Sequence, residues 1–157
     1  MHFHHEHLDG LDCTLEQINE ETGRRYRTPG GNVYPSITTV LGSIKNVELD
    51  AWRERVGNEY ANEVSRKASG RGTRVHNAIE KYLLNELTDM DIRRMMPDLK
   101  DMFRKIRPYI DEHIGTIYGV EKKLYSDRLR IAGTCDCIAE WLGSGCDNKF
   151  VRWKNDV

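Results

Sequence analysis

Apolar residues recur every three or four positions through the middle of the chain, and alternate with polar residues toward its end. The first period is typical of an amphipathic helix and the second of a half-exposed strand. We therefore predict a series of helices followed by antiparallel strands. The predicted helices span residues 37–41, 49–69, 74–87 and 99–114, and the predicted strands span residues 120–126, 129–141 and 146–153.

Individual residues predict where these helices begin and end. Ser36 and Asp50 are suitable N-caps for the first two helices. Gly70 and Gly72 are expected to end the second helix, and Thr73 to cap the third. Pro108 is expected to kink the last helix because proline lacks the amide proton that a helix interior needs.

The order of the elements predicts an α+β fold, with N-terminal helices packed on an antiparallel β-meander. A short hairpin around Pro29-Gly30-Gly31 precedes the helices. Residues 1–22 have no firm period and are predicted to be a poorly defined N-terminal segment, with residues 23–157 forming a single domain. Most histidines of "MHFHHEH" are expected to be solvated, although the tract could bind a transition metal.

Composition narrows the class of protein. Hydrophobic residues make up 38% and charged residues 31% of the chain, which favours a folded, polar-surfaced protein. No apolar run approaches the roughly 18 residues of a membrane span, so we expect no membrane contact and a reducing cytoplasm. The net charge of −1 means that any nucleic acid would have to bind a local basic patch. Arg24 to Arg27 and Arg66 to Arg74 are two such patches, although both could be ordinary solvated surface.

Acidic residues near the C-terminus suggest a metal site. Asp136 lies within an apolar run, where an unpaired buried carboxylate would be costly and a metal ion is one candidate partner. Asp147 and Lys149 are two residues apart and so share one face of a strand. Carboxylates hold hard cations such as Mg²⁺, and a lysine can assist an attacking water, as phosphodiester hydrolysis requires. Asp147 and Lys149 could equally be part of a charged edge strand.

An ordered set of motifs resembles a known family. "YPSITTVL", "RGTRVHNAIEKYL" and "LRIAGTCDCIAEW" look like the RecB-type branch of the PD-(D/E)XK nucleases, and in particular like exonucleases of tailed bacteriophages, which are related to the mitochondrial genome-maintenance exonuclease. The resemblance runs from about residue 23 to residue 141. It implies a restriction-endonuclease-like core and a phage-encoded, Mg²⁺- or Mn²⁺-dependent DNA exonuclease of recombination, repair or degradation in a bacterial host cell.

The resemblance also implies roles for particular residues. His76, Asp136 and Asp147 correspond to metal ligands, and Asp147 and Lys149 to the last catalytic motif, with Asp136 also catalytic. Glu80 follows His76 by one helical turn and could accept the other ring N–H of that histidine. For DNA binding, hydroxyls and cations near two predicted helix starts could contact phosphates. They are Ser36, Thr38, Arg71, Thr73 and Arg74.

The C-terminus departs from the family pattern. A hairpin that turns at Gly143-Ser144 would offset Asp147 from Asp136 by roughly 13 Å, too far to share one cation. No helix carrying the family's Q-x-x-x-Y motif follows Lys149. An alternative is therefore a non-catalytic DNA-binding remnant of the same fold. The last strand could also act as an exposed edge, which would allow a homo-oligomer.

The four cysteines leave a second alternative, a metal-binding or redox module. Cys13, Cys135, Cys137 and Cys146 match the number of cysteines that hold an iron–sulfur cluster in some family members. Their positions do not fit, because the last three fall within the predicted site strands. Small buried thiols are the interpretation that the pattern favours.

Overall fold

The computed structural model describes residues 2–44 and 46–143. Within these residues, five helices and two antiparallel sheets confirm the mixed α+β class. The restriction-endonuclease-like core stays a prediction. These described residues form two compact units, one within Met1–Ile44 and Asp111–Val157 and the other within Lys45–Ile110.

The first unit contains both sheets. Strands β1 (Glu16–Glu20), β2 (Gly23–Arg27) and β3 (Val33–Pro35) form one antiparallel sheet, so strands precede the helices and β1 lies in the segment predicted to be poorly defined. Helix α1 (Ile37–Gly42) follows, and Ser36 caps it by accepting the Thr39 amide proton, as predicted. Strands β4 (Ile114–Ser126) and β5 (Ile131–Trp141) form the second sheet.

A small core and two bridges tie these strands together. Leu15, Tyr26 and Ala132 are buried against one another, and the Tyr26 hydroxyl lies 3.4 Å from the Thr134 hydroxyl. Ser36 bridges to Ala132, which joins the end of β3 to β5. His5 bridges to Ile117, so the N-terminal segment runs along the outer edge of β4.

The second unit is helical. Helix α2 (Val47–Val56) begins at the N-cap Asn46, not at Asp50, and ends at Gly57, whose φ of 86° no L-residue adopts easily. Helix α3 (Asn58–Leu83) then runs without a break through Gly70 and Gly72. The predictions that these glycines end a helix and that Thr73 caps the next one are therefore wrong.

The packing of α3 explains why the glycines do not end it. Val75, Ala78, Tyr82 and Leu83 are buried on one face, and each interior glycine costs a helix only about 1 kcal/mol relative to alanine. Tertiary contacts of this face outweigh that cost. Helices α4 (Asp89–Arg94) and α5 (Pro97–His113) complete the helical segment.

Candidate metal site

Two carboxylates meet on the β4–β5 hairpin. Val120 pairs with Cys137 and Lys122 with Cys135, and Glu121 and Asp136 lie between these two rows. A carboxylate oxygen of Glu121 lies within 4.8 Å of one of Asp136. Two oxygens bound to one Mg²⁺ at about 2.1 Å lie at most about 4.2 Å apart, so small side-chain rotations would let this pair share a cation.

The backbone at Glu121 is unusual for a strand. Its φ of 52° lies in the left-handed region, which costs a non-glycine residue roughly 1–2 kcal/mol. Such conformations are concentrated at functional sites, where the surrounding structure holds them in place. The strain therefore supports a functional role for the orientation of the Glu121 side chain.

The N-terminal segment holds β4 at the two residues that directly follow this strained residue. The Lys122 ammonium pairs with Asp12 and lowers the pKa of that carboxyl group, first through the hydrogen bond and then through its charge. Lys123 donates to the backbone carbonyl of Leu15 at 3.2 Å. The Cys13 thiol in turn donates to the backbone carbonyl of Lys123. Glu121 thus lies in a backbone that is anchored by the residues next to it.

Asp136 is at an exposed position of β5. We expected a metal partner for Asp136 because a buried carboxylate would be costly. Asp136 is exposed, so this physical reason is wrong. An exposed carboxylate remains accessible to a cation from solvent, so the exposure is compatible with the predicted role. Asp147 and Lys149 lie outside the described residues.

His76 and Glu80 lie on α3 in the helical unit. Both are half-buried, and they are spaced by four residues, so they occupy the same face of the helix. Val75 and Ala78 beside them are buried, which places His76 at the edge of the helical core. The spacing that was expected to let Glu80 orient the His76 ring is therefore present.

Ser36 is a buried cap. It is 2% exposed, and its hydroxyl accepts from the Thr39 amide and lies 2.8 Å from the Thr38 hydroxyl. Because its side chain is buried, Ser36 is no longer a candidate for contact with a phosphate. Thr38 is exposed, so its predicted contact with DNA stays a prediction.

The three other predicted DNA contacts lie along α3. The Thr73 hydroxyl donates to the Ser69 carbonyl at 3.1 Å within the helix, so there is no helix N-terminus here for a phosphate to bind. Arg74 forms an ion pair with Asp98 at 3.2 Å, and Arg71 is exposed. The cations remain candidates for contact with DNA, whereas the helix-terminus argument does not hold.

Burial makes two of the described cysteines, Cys13 and Cys137, harder to deprotonate. Cys135 and Cys137 are half-buried on β5, and burial raises the pKa of Cys137 to about 11, with smaller contributions from Cys135 and Asp136. Burial also raises the pKa of Cys13. Because the thiolate is the form that binds metals, these environments favour structural thiols over a metal or redox centre. Cys146 lies outside the described residues.

Glu121 is the site residue that the sequence analysis missed, and turn length explains why. A two-residue turn at Asp127-Arg128 would have placed Glu121 opposite Thr134. The turn instead occupies four residues, 127–130, and Ser126 pairs with Ile131. From Gly119 to Ser126 the partner of each paired β4 residue therefore shifts by two positions, and Asp136 comes opposite Glu121. The only signal in the sequence was an acid in an otherwise regular strand.

No family model, curated protein or solved structure matches the chain. In the part of the chain that the structure describes, no helix is both long enough and apolar enough to cross a membrane.

Proposed function

We propose that the protein is a metal-dependent DNA nuclease that hydrolyses phosphodiester bonds, with Glu121 and Asp136 as carboxylate ligands of Mg²⁺ or Mn²⁺. The observation that carries this proposal is the approach of the two carboxylates across β4 and β5, together with the strained backbone at Glu121. Oxygen ligands of this kind suit hard divalent cations. A second support is the motif "GTCD", which ends at Asp136 and carries the family resemblance.

Each residue has a separate task in this proposal. A bound divalent ion would act as a Lewis acid on the phosphate and would lower the pKa of an attacking water. Glu121 and Asp136 supply its oxygen ligands. On the family motif alone, His76 is a further ligand, Glu80 accepts its second ring N–H, and Asp147 and Lys149 provide the last acid and the cation beside the attacking water. Exonuclease action and phage origin are likewise proposed on the resemblance alone.

The direct test is digestion of end-labelled linear DNA, single- and double-stranded, with Mg²⁺, Mn²⁺ or EDTA. We expect metal-dependent shortening that falls about 100-fold or more in Asp136→Asn and in Glu121→Gln, because each loses a ligand. Glu140→Gln is the matched control, since it removes a carboxylate from the same strand outside the pair and should retain cleavage. Absence of metal-dependent cleavage by the folded wild-type chain would contradict the proposal.

A further inference from the structure

A basic cleft lies between α4 and α5, entirely within the helical unit. It encloses about 370 Å³. Its wall contains four cations, Arg93, Lys100, Arg104 and Arg107, against one acid, Asp89. A concentration of positive side chains around a cavity attracts anions.

The spacing along α5 directs its cations into this cleft. Lys100, Arg104 and Arg107 follow one another at intervals of four and three residues, which places them on one face of the helix. Among the described residues, no carboxylate comes within ion-pair distance of Arg93, Lys100 or Arg104, whereas neighbouring Lys105 pairs with Asp101 at 2.9 Å. Like charges one helical turn apart repel each other. This face of α5 therefore concentrates positive charges that an anionic ligand would neutralise.

Arg107 is already held in position at the side of the cleft. Its Nε donates to the Tyr82 hydroxyl at 3.1 Å, and its guanidinium lies 5.3 Å from the centre of the Tyr82 ring. Phe103, which is 1% exposed, packs edge-on against the same ring. A cation anchored in this way loses little freedom when it binds a ligand.

Charge is also divided unequally between the two units. Residues 45–110 contain 14 Lys and Arg against 11 Asp and Glu, a net charge of +3. The remainder of the chain contains 10 against 14, a net charge of −4. The overall charge of −1 thus conceals a positive helical unit, and the cleft contributes four of its cations.

We propose that the α4–α5 cleft binds the sugar–phosphate backbone of a single nucleic-acid strand. The choice of ligand rests on the proposed nuclease function, and the chemistry rests on four cations that could contact successive phosphates. Of the wall residues that the structure describes, Phe103 is the one aromatic, and its burial prevents it from stacking on a base. Binding is therefore independent of base sequence and strongly dependent on salt.

The test measures binding without cleavage. Fluorescence anisotropy of a 5′-labelled oligo-dT is followed in EDTA, from about 50 to 200 mM salt. The variant Arg93→Gln/Arg104→Gln is compared with Arg94→Gln/Lys105→Gln, which removes the adjacent cation from each helix and changes net charge equally. We expect the cleft variant to weaken binding about tenfold or more near 0.1 M salt. We also expect it to lower the slope of log K against log salt by about 1.4, because each phosphate contact on a single strand contributes about 0.7.

Specific outcomes would overturn the inference. Equal losses in the two double variants would mean that net charge, and not the cleft, attracts the strand. Competition by dTMP as effective as that of an oligonucleotide of equal phosphate concentration would indicate a mononucleotide pocket. Selective loss of binding without any metal-dependent cleavage would support the cleft and contradict only the nuclease. Metal-dependent cleavage together with equal losses of binding in the two double variants would support the nuclease and contradict only the cleft.

Discussion

Glu121 and Asp136 face each other across the β4–β5 hairpin, with a carboxylate oxygen of each within 4.8 Å. Fifteen positions separate the two residues in the chain, and Glu121 has a left-handed backbone in the middle of β4. Two acids at this distance repel unless protons, cations or other partners compensate them. A divalent cation would compensate both acids at once.

Metal binding should be detectable as stabilisation of the folded chain. At a Mg²⁺ or Mn²⁺ concentration 100 times its Kd, binding to the folded state alone adds about 2.7 kcal/mol to the free energy of unfolding. For a chain of this length, that corresponds to a rise in Tm of about 5–10 °C. Differential scanning fluorimetry should show this rise, reversed by EDTA and absent in Glu121→Gln and Asp136→Asn.

Glu140→Gln is again the control and should retain the full metal-induced rise in Tm. An equal rise in wild type and in both ligand variants would place the cation elsewhere, for instance on the N-terminal histidines. That result would remove Glu121 and Asp136 from the site even if the protein cleaves DNA.

Gly57 and Gly72 should respond in opposite directions to substitution by alanine. Gly57 has a φ of 86°, so Gly57→Ala should destabilise the fold by about 1 kcal/mol or more. Gly72 lies inside α3, and a Cβ there would meet nothing within 4 Å. Gly72→Ala should therefore stabilise the fold by about 0.4–1 kcal/mol, measured by urea unfolding. Destabilisation by Gly72→Ala would instead support a helix break at this position.

Phe103 should be among the residues whose truncation costs most stability in the helical unit. Its side chain is 1% exposed, and its ring centre lies 5.4 Å from that of Tyr82. Phe103→Ala should lower the free energy of unfolding by about 3–5 kcal/mol, through lost burial and a cavity. Tyr109→Ala on the same helix, at a residue that is 68% exposed, should change it by no more than about 0.5 kcal/mol. Similar losses in the two variants would contradict this assignment of the helix faces.

Glu140 should make the stability of the hairpin depend on acid pH. Hydrogen bonds from Thr116 and then from the Tyr118 hydroxyl lower its pKa below the usual 4.5. Because the folded state favours the carboxylate, this contribution is present above pH 4.5 and is lost as the pH falls through the lower folded value.

Urea unfolding at a series of pH values from about 5 down to about 2.5 would measure this effect. The difference in unfolding free energy between wild type and Glu140→Gln should shrink as the pH falls. Parallel curves for the two proteins would show that Glu140 has the same pKa in the folded and unfolded states.

Local patterns were sufficient to predict several elements. Ser36 was identified as a cap because a hydroxyl residue directly precedes an apolar periodic run. This property depends only on residues within one turn. The failures at Gly70 and Gly72 have the opposite cause, since burial of Val75 and Ala78 carries the helix through positions of poor local propensity.

The amino-acid sequence by itself determined the α+β class, the N-cap at Ser36 and the presence of an acid at position 136, because these follow from composition and short-range patterns. Only the tertiary structure decided which acid lies opposite Asp136. That choice depends on a four-residue turn and on a left-handed backbone at Glu121, and pairing across a hairpin shifts with every residue added to its turn. The cleft between α4 and α5 could not be predicted from the sequence either, because the packing of the two helices decides whether their cations converge.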